Sequence, residues 1–195
     1  MTQSPSAADL LLASDTPEVA RRVWLVTERG GPEAAGMTAA HRTWLDAQTF
    51  KGAPRKLALL PDADGGLAGA ALGIGDGRTG DPAGPSDLLC GLLPAQLPAG
   101  LYDLAGTLAE PELAAVAWGL GAYRFRRYKT ANATEETARL KLPTAVDRVR
   151  VLAIVDAIWM GRDLINTPAS DMGPAELEAA AVTLAQRHGA SVDAI

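Results

Sequence analysis

The sequence has 195 residues, 48% of them hydrophobic and 21% charged, with a formal net charge of −5. That length admits one sizeable core, or one domain with part of another, and the acidic balance argues against a chain-wide footprint for nucleic acid or an anionic membrane surface. Cys90 is the only cysteine, which excludes an internal disulfide framework and a thiolate zinc cluster and fits a reducing, cytoplasmic compartment.

In chain order, Met1 to Ser6 lacks the charged and apolar regions of a secretory signal. Ala8 to Ala13 reads as a buried strand, as does the β-branched and aromatic run Val23 to Thr27, which ends at the breaker Arg29-Gly30-Gly31-Pro32. Between them Thr16-Pro17-Glu18 has a helix-start pattern with Thr16 as cap. Thr38 to Phe50 has helical periodicity, with Ala40, Trp44 and Ala47 on the apolar stripe and His41 off it. Lys56 to Leu60 and Leu67 to Ile74 flank Pro61-Asp62-Ala63-Asp64-Gly65-Gly66, whose glycines supply the positive φ of a hairpin loop, so an antiparallel pair is expected.

After a loop from Gly75 to Pro85, Ser86 to Leu93 reads as a short helix capped at Ser86 and ended by Pro94, with Cys90 inside it. Leu101 to Ala105 reads as a strand. Pro111 opens a longer helix expected to reach Tyr128, and Arg139 to Leu142 alternates before Pro143 as an edge strand. Thr144, with Asp147 three residues on, opens a helix expected to run to Ile165. Its apolar residues, among them Val149, Leu152, Val155, Ile158, Trp159 and Ile165, are too widely spread for one buried stripe, so it needs cover on more than one side. Its longest apolar run, Val151 to Met160, contains Asp156 and is flanked by arginines, so it belongs to a core or an interface and not to a membrane. Pro174 then opens a last, amphipathic helix. Strands alternating with helices, plus one hairpin, predict an α/β domain with a mixed sheet of about five or six strands between helical layers.

Candidate chemistry is sparse. Gly75-Asp76-Gly77-Arg78-Thr79-Gly80 matches G-x-G-x-x-G, with Asp103 at a distance suited to a ribose contact, yet Pro82, Gly84 and Pro85 replace the helix a dinucleotide site requires. A loop is the better reading. Tyr123 to Lys129 gathers Arg124, Arg126, Arg127 and Lys129 among three aromatics, a mixture able to stack bases and hold phosphates; cations at a helix C-terminus also complement its dipole, and Phe125 then falls on the stripe with Trp118 and Gly121. His41 and His188 lack clustered ligands, and no nucleophile triad is supported by spacing, so no catalytic, metal or cofactor-binding residue is assigned.

The joint Gly161-Arg162-Asp163-Leu164-Ile165-Asn166-Thr167-Pro168, continuing through Gly173-Pro174-Ala175-Glu176-Leu177, resembles the entry to the catalytic domain of the leucyl aminopeptidases, the two-metal cytosol aminopeptidase family. Gly119 to Lys129 is similar to the segment closing the last large helix of that family's N-terminal domain, although Arg126 stands where relatives often carry an acid. The resemblance implies a macro-domain-like mixed sheet flanked by helices over 1–143, a linker helix and joint over 144–168, and the start of an incomplete catalytic domain over 169–195. Arg162, Asp163, Asn166 and Pro168 are then structural residues of the joint. It further implies an aminopeptidase removing N-terminal residues from peptides, in which this chain is the non-catalytic part. Two divalent ions, manganese, zinc or magnesium, would be held by the catalytic domain, and the partners would be that domain and the neighbouring subunits of a hexamer. The alternative is a macro-like module binding nucleic acid or ADP-ribose.

Overall fold

The structure, a computed structural model, describes residues 5–34, 36–76, 86–106, 108–128 and 137–193. Its central strand β2 (Arg21–Val26) holds Val23, Trp24, Leu25 and Val26 in succession, all buried. Because side chains alternate across a strand, such a run needs cover on both faces. β2 lies between β4 (Leu67–Gly73) and β5 (Gly100–Ala105), parallel to each, and the six-stranded sheet runs β1-β6-β5-β2-β4-β3. Only β3 (Leu57–Pro61) is antiparallel to its neighbour, the hairpin partner β4. The expected hairpin and mixed sheet are both present.

On one face Trp24, Val26, Ala71, Ala58 and Leu60 pack with Met37, Leu45 and Phe50. Leu45 belongs to α3 (Ala39–Ala47), whose first turn is capped by the Thr38 hydroxyl accepting from the His41 N–H at 3.2 Å. The expected stripe is displaced here. Leu45 is fully buried while Trp44 is 45% exposed and donates its indole N–H to the Leu59 carbonyl at 3.1 Å. The larger aliphatic side chain takes the core position, and the indole, which carries a polar atom, takes the rim.

The opposite face carries Val23, Leu25, their register partners Ala70 and Leu72 on β4, and Tyr102, which is in phase with them. Tyr102 lies 6.3 Å from the ring of Trp118 on α5 (Pro111–Gly121). Alongside α5 runs a 3-10 segment, Ser86–Leu92, followed by α4 (Leu93–Gln96). Pro94 sits in the first turn of α4 and does not end the helix, because a proline there gives up an N–H that would have no intrahelical partner. Asp87, buried, accepts the Glu110 N–H at 2.9 Å and so fixes the start of α5 from outside the helix.

Four further expectations are corrected. Ala7–Leu10 is a helical turn, α1, closed by a Ser6–Asp9 capping box, and only Leu11–Leu12 is strand, β1. Thr16 to Glu18 is irregular, with a bend at Glu18, and forms no helix. β6 (Ala138–Lys141) is interior, between β1 and β5, so its alternation reflects pairing on both sides and not an edge. The linker helix α6 (Arg148–Asn166) is capped by Asp147, whose Oδ1 accepts from the N–H groups of Val149 and Arg150, and not by Thr144, which lies in a turn.

The chain divides into two compact units, residues 1–156 and 157–195, with the division inside α6. In the first unit, Val151 and Val155 of α6 are fully buried, and Gly119 admits Val155: a Cβ there would stand 2.6 Å from a Val155 methyl. Arg148 reaches the carbonyls of Leu11 and Ala8 at 2.8 and 3.1 Å. The second unit contains the end of α6, the joint, and α7 (Pro174–His188), entered through a Gly173 N–H donated to Glu176 Oε2 at 2.9 Å and left through Gly189 at φ +65°. No helix among the described residues is long and apolar enough to cross a membrane.

Two glycines test this packing in opposite directions. A methyl group at Gly121 would overlap the Gly91 carbonyl, whereas one at Gly161, inside α6, meets nothing within 4 Å. Gly121→Ala is expected to lower urea-unfolding stability by about 1–3 kcal/mol through overpacking, and Gly161→Ala to leave it equal or to raise it by about 0.5–1 kcal/mol through helix propensity.

Candidate functional site

Backbone hydrogen bonds and the Thr167 hydroxyl close the helix at the joint. Thr167, 6% exposed, donates both its N–H (3.0 Å) and its hydroxyl (2.7 Å) to the Asp163 carbonyl, closing the last turn of α6, and the Asp171 N–H then reaches the Pro168 carbonyl at 2.9 Å. Asn166 is the last residue of α6, Arg162 and Asp163 lie in its final turn, and Pro168 follows as an exposed residue. Thr167 escaped notice in the sequence, where the more familiar turn-former Asn166 stands beside it. Its signal is positional: a hydroxyl four residues after a helical carbonyl can bond back to it.

The basic segment is arranged differently from the continuous helix expected. α5 ends at Gly121, and the Ala122 N–H closes on the Trp118 carbonyl at 3.0 Å. Phe125 is therefore not on a helical stripe. Arg124 donates through Nη1 to the carbonyls of Gly121 (2.9 Å) and Tyr123 (2.8 Å), so its charge is spent on the acceptors that a helix end leaves open. Phe125 and Tyr128 lie 5.9 Å apart, and the Arg127 guanidinium stands 5.8 Å from the centroid of the half-exposed Tyr128 ring. Lys129 lies outside the described residues, as do Gly77 to Gly80 of the glycine motif.

What is described of that motif behaves as a turn. Gly75 has φ +68°, accepts the Glu28 N–H at 2.7 Å and donates to Gly52 at 3.0 Å, immediately after the hairpin strand β4. Asp103, the proposed ribose contact, is engaged by Arg22 across the sheet with Nη2 to Oδ2 at 2.9 Å. That hydrogen bond and charge raise the Arg22 pKa further above its ordinary value.

His41 lies edge-on to Trp24 at 5.2 Å, and its buried Nδ1 has no hydrogen-bond partner. His188 is the exposed last residue of α7, beside carbonyls that favour a cation. Among the described residues no three His, Cys, Asp or Glu side chains gather where they could hold a metal ion. The described residues do not fit a two-metal centre.

The family model for the M17 aminopeptidase N-terminal domain matches residues 33–143, more than half of the chain. The chain belongs to the M17 aminopeptidase family. The fold is that of its N-terminal domain, as the resemblance to the leucyl aminopeptidases implies. A probable cytosol aminopeptidase of Rhodococcus opacus (strain B4) is 32% identical over 111 residues, which are 49% of this chain and 22% of the relative. The crystal structure of the cytosol aminopeptidase from Coxiella burnetii superimposes with a TM-score of 0.75 and 29% identity, over 92% of this chain and 38% of that one. The bottromycin maturation enzyme BotP, solved in complex with Mn, shares the fold, with a TM-score of 0.61 at 21% identity over 88% of this chain and 37% of that one. This M17 chain thus spans well under half the length of these relatives.

Cys90, the single cysteine of this M17 chain, is fully buried in the 3-10 segment. Burial, and secondarily the Asp87 charge, push its pKa up to about 12. At pH 8 the native thiol is therefore protonated as well as inaccessible. Iodoacetamide at that pH is expected to leave Cys90 unmodified in the folded protein and to label it stoichiometrically in urea, read by mass spectrometry.

Proposed function

We propose that this chain is the non-catalytic N-terminal part of a leucyl-aminopeptidase-like exopeptidase, with peptide hydrolysis carried by the family's catalytic domain. The observation that carries the reading is the superposition of 92% of the chain on 38% of a cytosol aminopeptidase. In this reading residues 1–143 form the N-terminal domain, 144–168 the linker helix and joint, and 169–195 the first helix of the catalytic domain. Arg162, Asp163, Asn166 and Pro168 set the orientation of that joint. Two divalent ions act in the catalytic domain, where a metal polarises a carbonyl and activates water; the manganese of BotP supports manganese among the candidates. A cytoplasmic location is in line with the cytosol aminopeptidase relatives.

The surface of α6 supports a partner role. Val149 is 78% and Ile165 84% exposed on a helix whose Val151 and Val155 are fully buried. Apolar groups displayed so fully are the kind covered by further protein, here the catalytic domain or a neighbouring subunit of a hexamer. The activity test is direct. Residues 1–195 with manganese are expected to release no p-nitroaniline from leucyl-p-nitroanilide, and turnover above a metal-free control would overturn the division of labour.

The stacked Arg127 and Tyr128 favour a second reading, a nucleic-acid contact. Against it stand the net charge of −5 and the commitment of Arg124 to carbonyls. A gel shift with single-stranded DNA at low salt is expected to show only weak, sequence-independent binding. Tight binding abolished by Arg126→Glu with Arg127→Glu would establish the second reading in its place.

A further inference from the structure

The edge of the sheet at β3 is built to pair and is held shut. β3 is the outermost strand on its side. Toward β4, Lys56 accepts the Gly73 N–H at 2.7 Å and the Asp62 N–H donates to Gly66 at 2.9 Å. Backbone groups alternate in direction along an antiparallel strand, so the N–H and C=O groups of Leu57 and Leu59 face outward, away from the sheet. The Leu59 side chain is 43% exposed beside them. An open edge of this kind is a template for another strand. Trp44 reaches it: its indole N–H takes the outward Leu59 carbonyl at 3.1 Å while 45% of the residue remains in solvent.

The charges flanking β3 select what would bind if Trp44 moved. Arg55 and Lys56 precede the strand, and Asp62 and Asp64 follow it, all four exposed. Two copies of β3 placed antiparallel about a two-fold axis through Leu59 set each residue opposite the one equally far on the other side. Lys56 then faces Asp62 of the second copy, twice, and Leu57 faces Pro61. Asp62 is fixed for this role, because its Oδ1 accepts from the N–H groups of Asp64 (3.0 Å) and Gly66 (2.7 Å). Pro61 offers a carbonyl and no N–H, which limits the ladder to the Leu57 and Leu59 donors of each copy. A like-directed arrangement would instead stack the basic ends together and the acidic ends together, which opposes it.

We propose that Trp44 is a latch on the β3 edge, and that the edge it closes is a self-complementary surface for β3 of a second copy of this chain. With the latch in place the Leu59 carbonyl is taken. Releasing it frees that carbonyl beside the outward N–H groups of Leu57 and Leu59 and an exposed apolar side chain, with matching charges at either end.

Amide hydrogen exchange of the 195-residue chain, followed as a function of protein concentration and paired with sedimentation velocity, tests this. In the unsubstituted protein the Leu57 and Leu59 amides should exchange at rates independent of concentration. In Trp44→Ala those two amides should slow by at least about tenfold as concentration rises, which corresponds to pairing stronger by about 1.4 kcal/mol, together with a shift toward dimer mass. Trp44→Phe, which keeps a ring but lacks the donor, should show the same effect more weakly and serves if the alanine variant does not fold. Adding Lys56→Glu, which sets like charges opposite Asp62, should reverse the protection. Concentration-independent exchange at Leu57 and Leu59 in both Trp44 variants would overturn the proposal. So would equal protection in the unsubstituted protein, or protection that Lys56→Glu leaves unchanged.

Discussion

Four consecutive buried residues on one strand, Val23 to Val26, set the terms for everything around them. A strand apolar on both faces must lie inside a sheet covered on both sides, and each neighbouring element answers that demand. α3 supplies Leu45 to one face and α5 supplies Trp118 to the other, while the flanking strands β4 and β5 contribute the small or aromatic residues Ala70, Ala71 and Tyr102 in register. Once both faces are covered, only the two outer strands remain open. A side chain from a helix reaches each of them: Arg148 of α6 bonds the Leu11 carbonyl of β1, and Trp44 of α3 bonds the Leu59 carbonyl of β3. α3 therefore both covers a face and reaches an edge, while α6 reaches the other edge.

How much of this was legible in the sequence depended on whether a local signal decided the outcome. The Asp-Gly-Gly turn between two apolar runs fixed the β3–β4 hairpin, and Thr38 and Pro111 marked the starts of α3 and α5, because turn and cap chemistry is settled within a few residues. Misreadings occurred where distant contacts decide. Leu45 and not Trp44 entered the core because of what Met37, Phe50 and β3 offered it. β6 looks like an edge strand from Pro143 alone, yet β1, near the start of the chain, pairs along its far side. The α5 helix was drawn too long because cations and aromatics continue past Gly121, and nothing local shows that Gly121 is pressed onto the Gly91 carbonyl.

The functional reading was legible for a different reason. Periodicity and composition led to an α/β sheet and stopped there, since many activities share such folds. The resemblance carried by two ordered segments supplied the family, and the match over residues 33–143 agrees with it. In the structure, two of the polar groups considered for chemistry are occupied within the fold: Asp103 pairs with Arg22, and Arg124 donates to the carbonyls of Gly121 and Tyr123. A reacting group needs an environment that leaves it poised toward substrate; these groups are instead neutralised or bonded by their neighbours.

Helix α6 shows how a single element can serve two purposes. Its first half carries Val151 and Val155 four residues apart, the spacing that presents one face, and Gly119 of α5 makes room for that face by having no side chain. Arg148 and Arg150 extend from the same turns to the Leu11 carbonyl and to Glu112 at 2.8 Å, so the helix start is tied to β1 and to α5 at once. Asp147 caps the turn that launches them. The start of α6 is thus attached within the first unit at three points, and at its other end the buried Thr167 hydroxyl closes the last turn. Val149 and Ile165, exposed on the same helix, present apolar groups of the kind that further protein covers.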